Sequence, residues 1–186
     1  MKRSFVRSPY LWAIVGVVAV VSFAWVTRHN RQPVITGNTA PAFTALNMDG
    51  DEVELADYLG DYVVLVNIWA TWCPPCVEEM PSMERLYAEF PGEAFEILAV
   101  SVDAPIGQVD RREMAGGDVA AFAEQFGLTF PILHDPEGDI EDIYQTTGVP
   151  ESFLIGKDGL IHKKVAGETA WDAPANVELI RRLVGS

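Results

Sequence analysis

Two cysteines separated by two residues are the side chains of this sequence best suited to chemistry. Cys73 and Cys76 follow a β-branched apolar run, Tyr62 to Trp69, and precede a stretch with helical periodicity that begins at Pro74. Such a dithiol can close a small disulfide ring and reopen it, and a helix N-terminus favours a thiolate in its first turn. The pattern predicts thiol–disulfide exchange, with Cys73 as the exposed attacking thiolate and Cys76 as the resolving thiol.

Two structural roles for the same cysteines compete with exchange. A purely structural disulfide would close a ring of four residues, which removes little chain entropy and stabilises weakly. A zinc site would need further ligands, but there is no second cysteine pair, and the three histidines are far apart in the sequence (His29, His134 and His162). We therefore expect no bound metal and no cofactor other than the redox-active pair itself.

The prolines between the cysteines predict the direction of the exchange. Neither Pro74 nor Pro75 has an amide hydrogen, so two donors that could face a Cys73 thiolate are missing, and the Cys76 amide remains. A strongly stabilised thiolate makes a dithiol protein a strong oxidant. Moderate stabilisation here predicts a reductant or a moderate exchanger.

The surrounding sequence resembles a known family. The residues from Val66 to Pro81 (VNIWATWCPPCVEEMP) are similar to the membrane-anchored TlpA/ResA-like thiol–disulfide oxidoreductases of the thioredoxin fold. The resemblance extends over about residues 38–185 and includes three further motifs: Pro41-Ala42-Phe43 with Asp49-Gly50, Gly148 to Ile155 (GVPESFLI), and Trp171 to Pro174 (WDAP). It implies client proteins with disulfides, such as apocytochrome c or a copper-site assembly protein, and a membrane thiol-electron donor.

The resemblance also implies roles for individual residues. Pro150 matches the family's cis-proline beside the disulfide, and the backbone of Val149 would pair with a substrate strand. Glu79 matches an acidic residue that is proposed to aid proton transfer or tune the second thiol. Trp72 matches the aromatic residue beside the nucleophile and, with Pro74, Pro75 and Val149, completes the candidate substrate-binding set.

One position departs from ordinary thioredoxins. They carry a buried aspartate six residues before the first cysteine, and this chain has Asn67 there. Asparagine cannot exchange a proton. Glu79 would therefore take that role, and its distance of one helical turn from Cys76 supports the assignment.

The elements that must position this site are those of a mixed α/β sheet. The Asp49-Gly50 pair predicts a hairpin within residues 42–55, and Asp103 to Gly117 is predicted to be a solvent-exposed loop. The remaining elements are one helical turn (55–60), strands (62–69, 95–102, 130–134, 152–155 and 160–166) and helices (74–90 with a kink at Pro81, 118–126, 139–144 and 174–184). These elements predict a mixed α/β sheet covered on both faces by helices. The resemblance implies that it is a thioredoxin fold, here with an N-terminal β-hairpin extension and a single N-terminal transmembrane helix.

The N-terminal residues predict a membrane anchor. The chain has 186 residues and a formal net charge of −14, which argues against a nucleic-acid binder, yet residues 1–31 hold five cations and no acid. From Ser8 to Thr27 no side chain is charged, and such a helix spans about 30 Å, the thickness of a hydrocarbon core. The expected organisation is an anchor (1–27), a linker (28–40) and a thioredoxin-like domain (41–186).

The location follows from the same segment. Lys2, Arg3 and Arg7 precede the apolar run, which favours a cytoplasmic N-terminus and a catalytic domain on the extracytoplasmic, periplasmic side of the cell membrane. A cleaved signal peptide is the alternative, since Ser22-Phe23-Ala24 loosely fits a cleavage site. With an uncleaved anchor or with a cleaved signal peptide, the catalytic domain is exported.

Two other functions stay open. A thiol peroxidase of the peroxiredoxin-like branch shares the fold but needs an arginine beside its cysteine, and none is close to this dithiol in the sequence. A copper-binding metallochaperone or adaptor would use Cys73 and Cys76 as soft ligands, with a third ligand from His or Met.

Overall fold

A computed structural model describes residues 9–29 and 33–186, and for residues 12–22 and 33–186 it also describes the side chains. The chain divides into two compact units, Met1–Pro33 and Val34–Ser186. The first contains helix α1 (Pro9–His29), where the apolar run predicts a helix. Within the described part of the chain, no helix reaches the combination of length and apolar content that a membrane crossing requires. Lys2, Arg3 and Arg7 lie outside the described residues.

The second unit is built on one seven-stranded mixed sheet. Its strands are β1 (Thr44–Asn47), β2 (Glu52–Glu54), β3 (Val63–Trp69), β4 (Phe95–Ser101), β5 (Ile132–His134), β6 (Glu151–Ile155) and β7 (Ile161–Ala166). Their order in the sheet is β2-β1-β5-β4-β3-β6-β7. Strands β3, β4 and β5 are parallel, whereas β6 and β7 on one side and β1 and β2 on the other are antiparallel. This arrangement is the predicted thioredoxin-like fold with its hairpin extension.

The helices lie where the sequence predicts them, with small differences at their ends. They are α2 (Pro74–Ala88), α3 (Val119–Phe126), α4 (Asp139–Ile143) and α5 (Pro174–Val184), and a short 3₁₀ turn spans Leu55–Asp57. Helix α2 ends at Ala88, two residues earlier than expected, and continues through Pro81. Helix α3 begins as predicted, because the Asp118 carboxylate accepts a hydrogen bond from the Ala121 amide at 2.9 Å.

Strand β3 carries the site because it is buried along its whole length. All seven of its side chains are buried, and it lies between β4 and β6 in the sheet. A strand covered on both faces reads as a continuous apolar run, which explains why the sequence predicts it so clearly. Trp69 at its end packs against Phe122 of α3, with ring centroids 5.0 Å apart. Trp69 is therefore held in place, and so is the start of the segment that leads from β3 to Cys73.

The folded unit begins seven residues before the predicted domain start at Pro41. Val34 and Ala40 are buried in the core. Between them, the Gly37 amide donates to the Ile161 carbonyl at 2.8 Å, and the Ala40 amide donates to the Gly159 carbonyl at 2.9 Å. Residues 34–40 are thus packed along β7.

Candidate active site

The dithiol forms the N-terminus of α2. Cys73 is the N-cap residue, in an extended conformation, and it is joined to Cys76 by a disulfide. The Cys76 amide donates to Cys73 Sγ at 3.2 Å, while Pro74 and Pro75 occupy the first helical positions without donors. The predicted ring at the helix start is confirmed, with one amide directed at the first sulfur.

Both cysteines are buried. Cys73 is 4% exposed and Cys76 is 0% exposed, so the expectation of a nucleophile at an exposed helix end is wrong. The loop before β6 covers part of Cys73, because its Val149 carbonyl oxygen lies 3.4 Å from Cys73 Sγ. The Val149–Pro150 peptide bond is cis, as predicted. Of the two cysteines, only Cys73 keeps contact with solvent, so Cys73 is the one accessible for exchange.

Glu79 is a buried carboxylate behind the dithiol, one helical turn after Cys76. Its Oε1 accepts from Asn67 Nδ2 at 2.7 Å, and its Oε2 accepts from the Thr169 amide at 3.2 Å. Asn67 on β3 also donates to Ser152 Oγ on β6 at 2.8 Å. Burial raises the pKa of Glu79 to about 7, although both hydrogen bonds oppose the shift. The asparagine that replaces the usual aspartate therefore holds the carboxylate that can titrate near neutral pH.

A surface cleft connects Glu79 with solvent. Its volume is about 410 Å³, and it lies between α2 and the segment after β7. Its lining residues are Glu78, Glu79, Ser82, Arg85, Glu168, Thr169 and Ala170. A proton that leaves or reaches Glu79 thus has a polar route that does not pass the Cys73 face.

Comparison with known proteins agrees with this geometry. A family model described as the AhpC/TSA family matches residues 36–164. The thiol–disulfide oxidoreductase ResA of Geobacillus thermodenitrificans is 40% identical over 152 residues, which cover 81% of this chain and 81% of that relative. ResA of Oceanobacillus iheyensis is 36% identical over 162 residues, which cover 84% of this chain and 79% of that relative. This chain belongs to the AhpC/TSA family. Within it, the chain is a thiol–disulfide oxidoreductase of the ResA and DsbE type.

A solved structure supports the same assignment to the thiol–disulfide oxidoreductases. A Chlorobium tepidum protein assigned as a thiol:disulfide interchange protein DsbE has a TM-score of 0.64 and 30% sequence identity. The match covers 81% of this chain and 95% of that protein. The resemblance of the sequence to ResA-like oxidoreductases is thereby confirmed at the level of family and fold.

The turn before the nucleophile of this ResA-like oxidoreductase is held by a carboxylate that sequence reasoning missed. Asp103 is 0% exposed, although it belongs to the segment predicted to be only a solvent-exposed loop. Its carboxylate accepts from the Thr71 amide at 2.8 Å, from the Thr71 hydroxyl and from Ser101 Oγ at 2.8 Å. The Gly117 amide approaches the same carboxylate at 3.3 Å. A Cβ atom at Gly117 would lie 1.9 Å from Thr71 Oγ1, so only glycine permits this approach.

A second contact fixes Trp72, the neighbour of Cys73. The guanidinium of Arg112 lies over the Trp72 ring, 5.9 Å from its centroid. Arg112 also forms an ion pair with Glu141 of α4, whose side chain is 4% exposed. Arg111 binds the same carboxylate at 3.0 Å. The segment after β4 is therefore attached to the active site at both Thr71 and Trp72.

The residues of the predicted substrate-binding set differ in exposure. Trp72, Pro75 and Val149 are half-buried, and Pro74 is exposed. Within the described residues, no group of three or more His, Cys, Asp or Glu side chains is placed to hold a metal ion. Asp103 could have been found from the sequence, because it follows β4 as Thr71 follows β3, and the carboxyl ends of adjacent parallel strands meet at one edge.

Proposed function

We propose that this chain is an extracytoplasmic reductant of client-protein disulfides, anchored in the cell membrane by its N-terminal segment. The observation that carries the proposal is the buried disulfide at the start of α2, accessible through Cys73 and backed by Glu79. The relatives named thiol–disulfide oxidoreductase ResA support the reaction type. The uncharged run from Ser8 to Thr27, flanked by cations, supports the anchor and the exported domain.

The donors around Cys73 support the reducing direction. In the described structure the Cys76 amide is the one helix amide that donates to Cys73 Sγ, because Pro74 and Pro75 have none to offer. A thiolate with few donors is moderately stabilised, so the oxidised form is comparatively favoured and the reduced protein gives up its electrons readily.

The reaction is a two-electron thiol–disulfide exchange between the client disulfide and the reduced Cys73–Cys76 pair. The Cys73 thiolate attacks one sulfur of the client disulfide, forms a mixed disulfide and releases the other client sulfur as a thiolate. Cys76 then loses its proton, with Glu79 as the acceptor, and attacks Cys73 Sγ. The client leaves as a dithiol, the Cys73–Cys76 disulfide closes, and Pro150 with Val149 holds the client strand during both steps.

The resemblance suggests the partners. We propose apocytochrome c, through its haem-binding cysteines, or a copper-site assembly protein as the client. Electrons would come from a membrane thiol donor that reduces the Cys73–Cys76 disulfide after each turnover. An exported dithiol needs such a supply because disulfides persist in that compartment.

The reduction potential tests the proposed direction. Equilibration of the full chain with glutathione or thioredoxin buffers should give a value nearer to that of thioredoxin, about −270 mV, than to that of DsbA, about −120 mV. A potential close to the DsbA value would contradict a reducing role and identify the protein as an oxidant.

A thiol peroxidase is a second candidate because of one contact. Arg112 lies over Trp72 and so brings a cation to the neighbour of Cys73, which the sequence spacing did not predict. Its ion pair with Glu141 occupies the guanidinium, and this favours a structural role. A burst of peroxide consumption that persists in Cys76→Ser would support the peroxidase.

A further inference from the structure

The segment after β4 forms a compact loop whose ends touch. We name residues 104–116 the rim loop. Its two ends are so close that a Cβ atom at Gly116 would lie 2.0 Å from the Ala104 carbonyl oxygen. Val109 and Ala115 pair as an antiparallel bridge, and the Asp110 carboxylate caps the turn by accepting from the Arg112 and Met114 amides at 2.7 and 2.9 Å. The rim loop is thus a closed surface loop with its own internal order, the kind that is often functional.

The rim loop is fixed beside the dithiol. Arg112 contacts the Trp72 ring, and the buried Glu141 holds both Arg112 and Arg111. At the base of the loop, Asp103 binds Thr71, two residues before Cys73. The active-site turn, residues 70–73, is therefore bordered by this loop at Trp72 and by the residue at the loop's base, Asp103, at Thr71.

The rim loop exposes apolar as well as charged side chains. Arg111 and Arg112 form ion pairs within the chain although their side chains are 46% and 37% exposed. Beside them, Ile106 and Val109 are 71% and 62% exposed, and Met114 is 37% exposed. Exposed apolar side chains that share one short, ordered loop can form an interaction surface.

We infer that the rim loop is a client-binding edge that selects polypeptides with an apolar side chain next to the target cysteine. The inference deepens the proposed function and rests on it. Because Cys73 is 4% exposed, a client disulfide must press against the surface around it to reach the sulfur. Val149 borders Cys73 on one side, and Arg112 of the rim loop and Asp103 at its base border Trp72 and Thr71. Client residues that flank the disulfide would then cover Ile106 and Val109.

Two synthetic peptides test this selection. Each contains an internal disulfide between cysteines two residues apart, with valines flanking the cysteines in one peptide and threonines in the other. Valine and threonine have nearly the same shape, so the pair isolates apolar contact. The reduced full chain should reduce the valine peptide about fivefold to tenfold faster than the threonine peptide, measured as second-order rate constants.

Variants assign the preference to the rim loop. The double variant Ile106→Ser, Val109→Ser should bring the ratio of the two rate constants to within about twofold. The matched control is Ile35→Ser, since Ile35 is 51% exposed and belongs to the segment beside β7, an edge strand, whereas the rim loop follows the central strand β4; it should keep the full ratio. Thermal unfolding of each variant, compared with the unsubstituted chain, verifies that the fold is retained.

The outcomes separate the inference from the function on which it rests. Equal rates for both peptides, or a preference that survives in the double variant, would overturn the inference and leave the proposed reduction intact. Failure to reduce either peptide would overturn both. Concentration-dependent dimers that disappear in the double variant, together with an unchanged peptide ratio, would assign the apolar edge to a second copy of the chain instead.

Discussion

Replacement of Glu79 by glutamine should remove a large pH dependence of stability. Burial raises the pKa of this carboxyl from 4.5 to about 7 in the folded protein. Between these values the folded state holds a proton that the unfolded state has lost, so the contribution is fully present below about pH 4.5 and is lost as the pH rises through 7. The shift corresponds to about 3 kcal/mol of unfolding free energy. The unsubstituted protein should lose that amount, to order of magnitude, between pH 4.5 and 7.5, whereas Glu79→Gln should not.

Guanidinium unfolding of the oxidised protein at several pH values measures this contribution. The matched control is Glu78→Gln, because Glu78 is an exposed carboxylate on the same turn of α2. Its pH profile should follow that of the unsubstituted protein. Parallel profiles for Glu79→Gln and the unsubstituted protein would refute the assignment. A stability that rises with pH through a Glu79-dependent step would show that the carboxylate is stabilised in its charged form.

Three substitutions test the supports around the site. Asp103→Ala leaves the Thr71 amide without its acceptor and should lower the unfolding free energy by about 2–4 kcal/mol in denaturant titrations; an unchanged midpoint would contradict its anchoring role. Glu141→Gln releases Arg112 and should accelerate trypsin cleavage after that residue about tenfold or more, and equal cleavage rates would show that the ion pair does not hold the loop. Leu86→Ala removes a fully buried side chain of α2 and should cost about 2–5 kcal/mol; a cost below 1 kcal/mol would mean that the helix face is not part of the core.

The sequence predicts the fold closely because its patterns are local. The apolar run of β3, the Asp118 cap of α3 and the glycine turn between β1 and β2 each specify one element without reference to distant residues. The same holds for the dithiol, since Cys73 and Cys76 are three positions apart in one helical turn. The prediction of a cis-proline at Pro150 rests on the resemblance of residues 148–155 to a family motif.

Local patterns do not predict the contacts that shape the site, because these contacts join residues far apart in the chain; only for Asp103 does the order of the strands give a signal. Asp103 reaches Thr71 across 32 positions, and Glu141 reaches Arg112 across 29. The composition of residues 103–117 predicts only an exposed loop. A polar side chain that faces water and one that binds another part of the chain cannot be told apart by composition. The burial of Cys73 was missed for the same reason: it depends on the loop that carries Val149.

The most direct test of the account is capture of the mixed disulfide. Reduced Cys76→Ser protein is mixed with an oxidised disulfide peptide, and the adduct is located by mass spectrometry of the digested chain. The account predicts one peptide bound covalently at Cys73 and no such trapped adduct in Cys73→Ser, whose remaining thiol at Cys76 is fully buried. An adduct that forms equally well in Cys73→Ser, or none in either variant, would contradict the assignment of Cys73 as the attacking thiol.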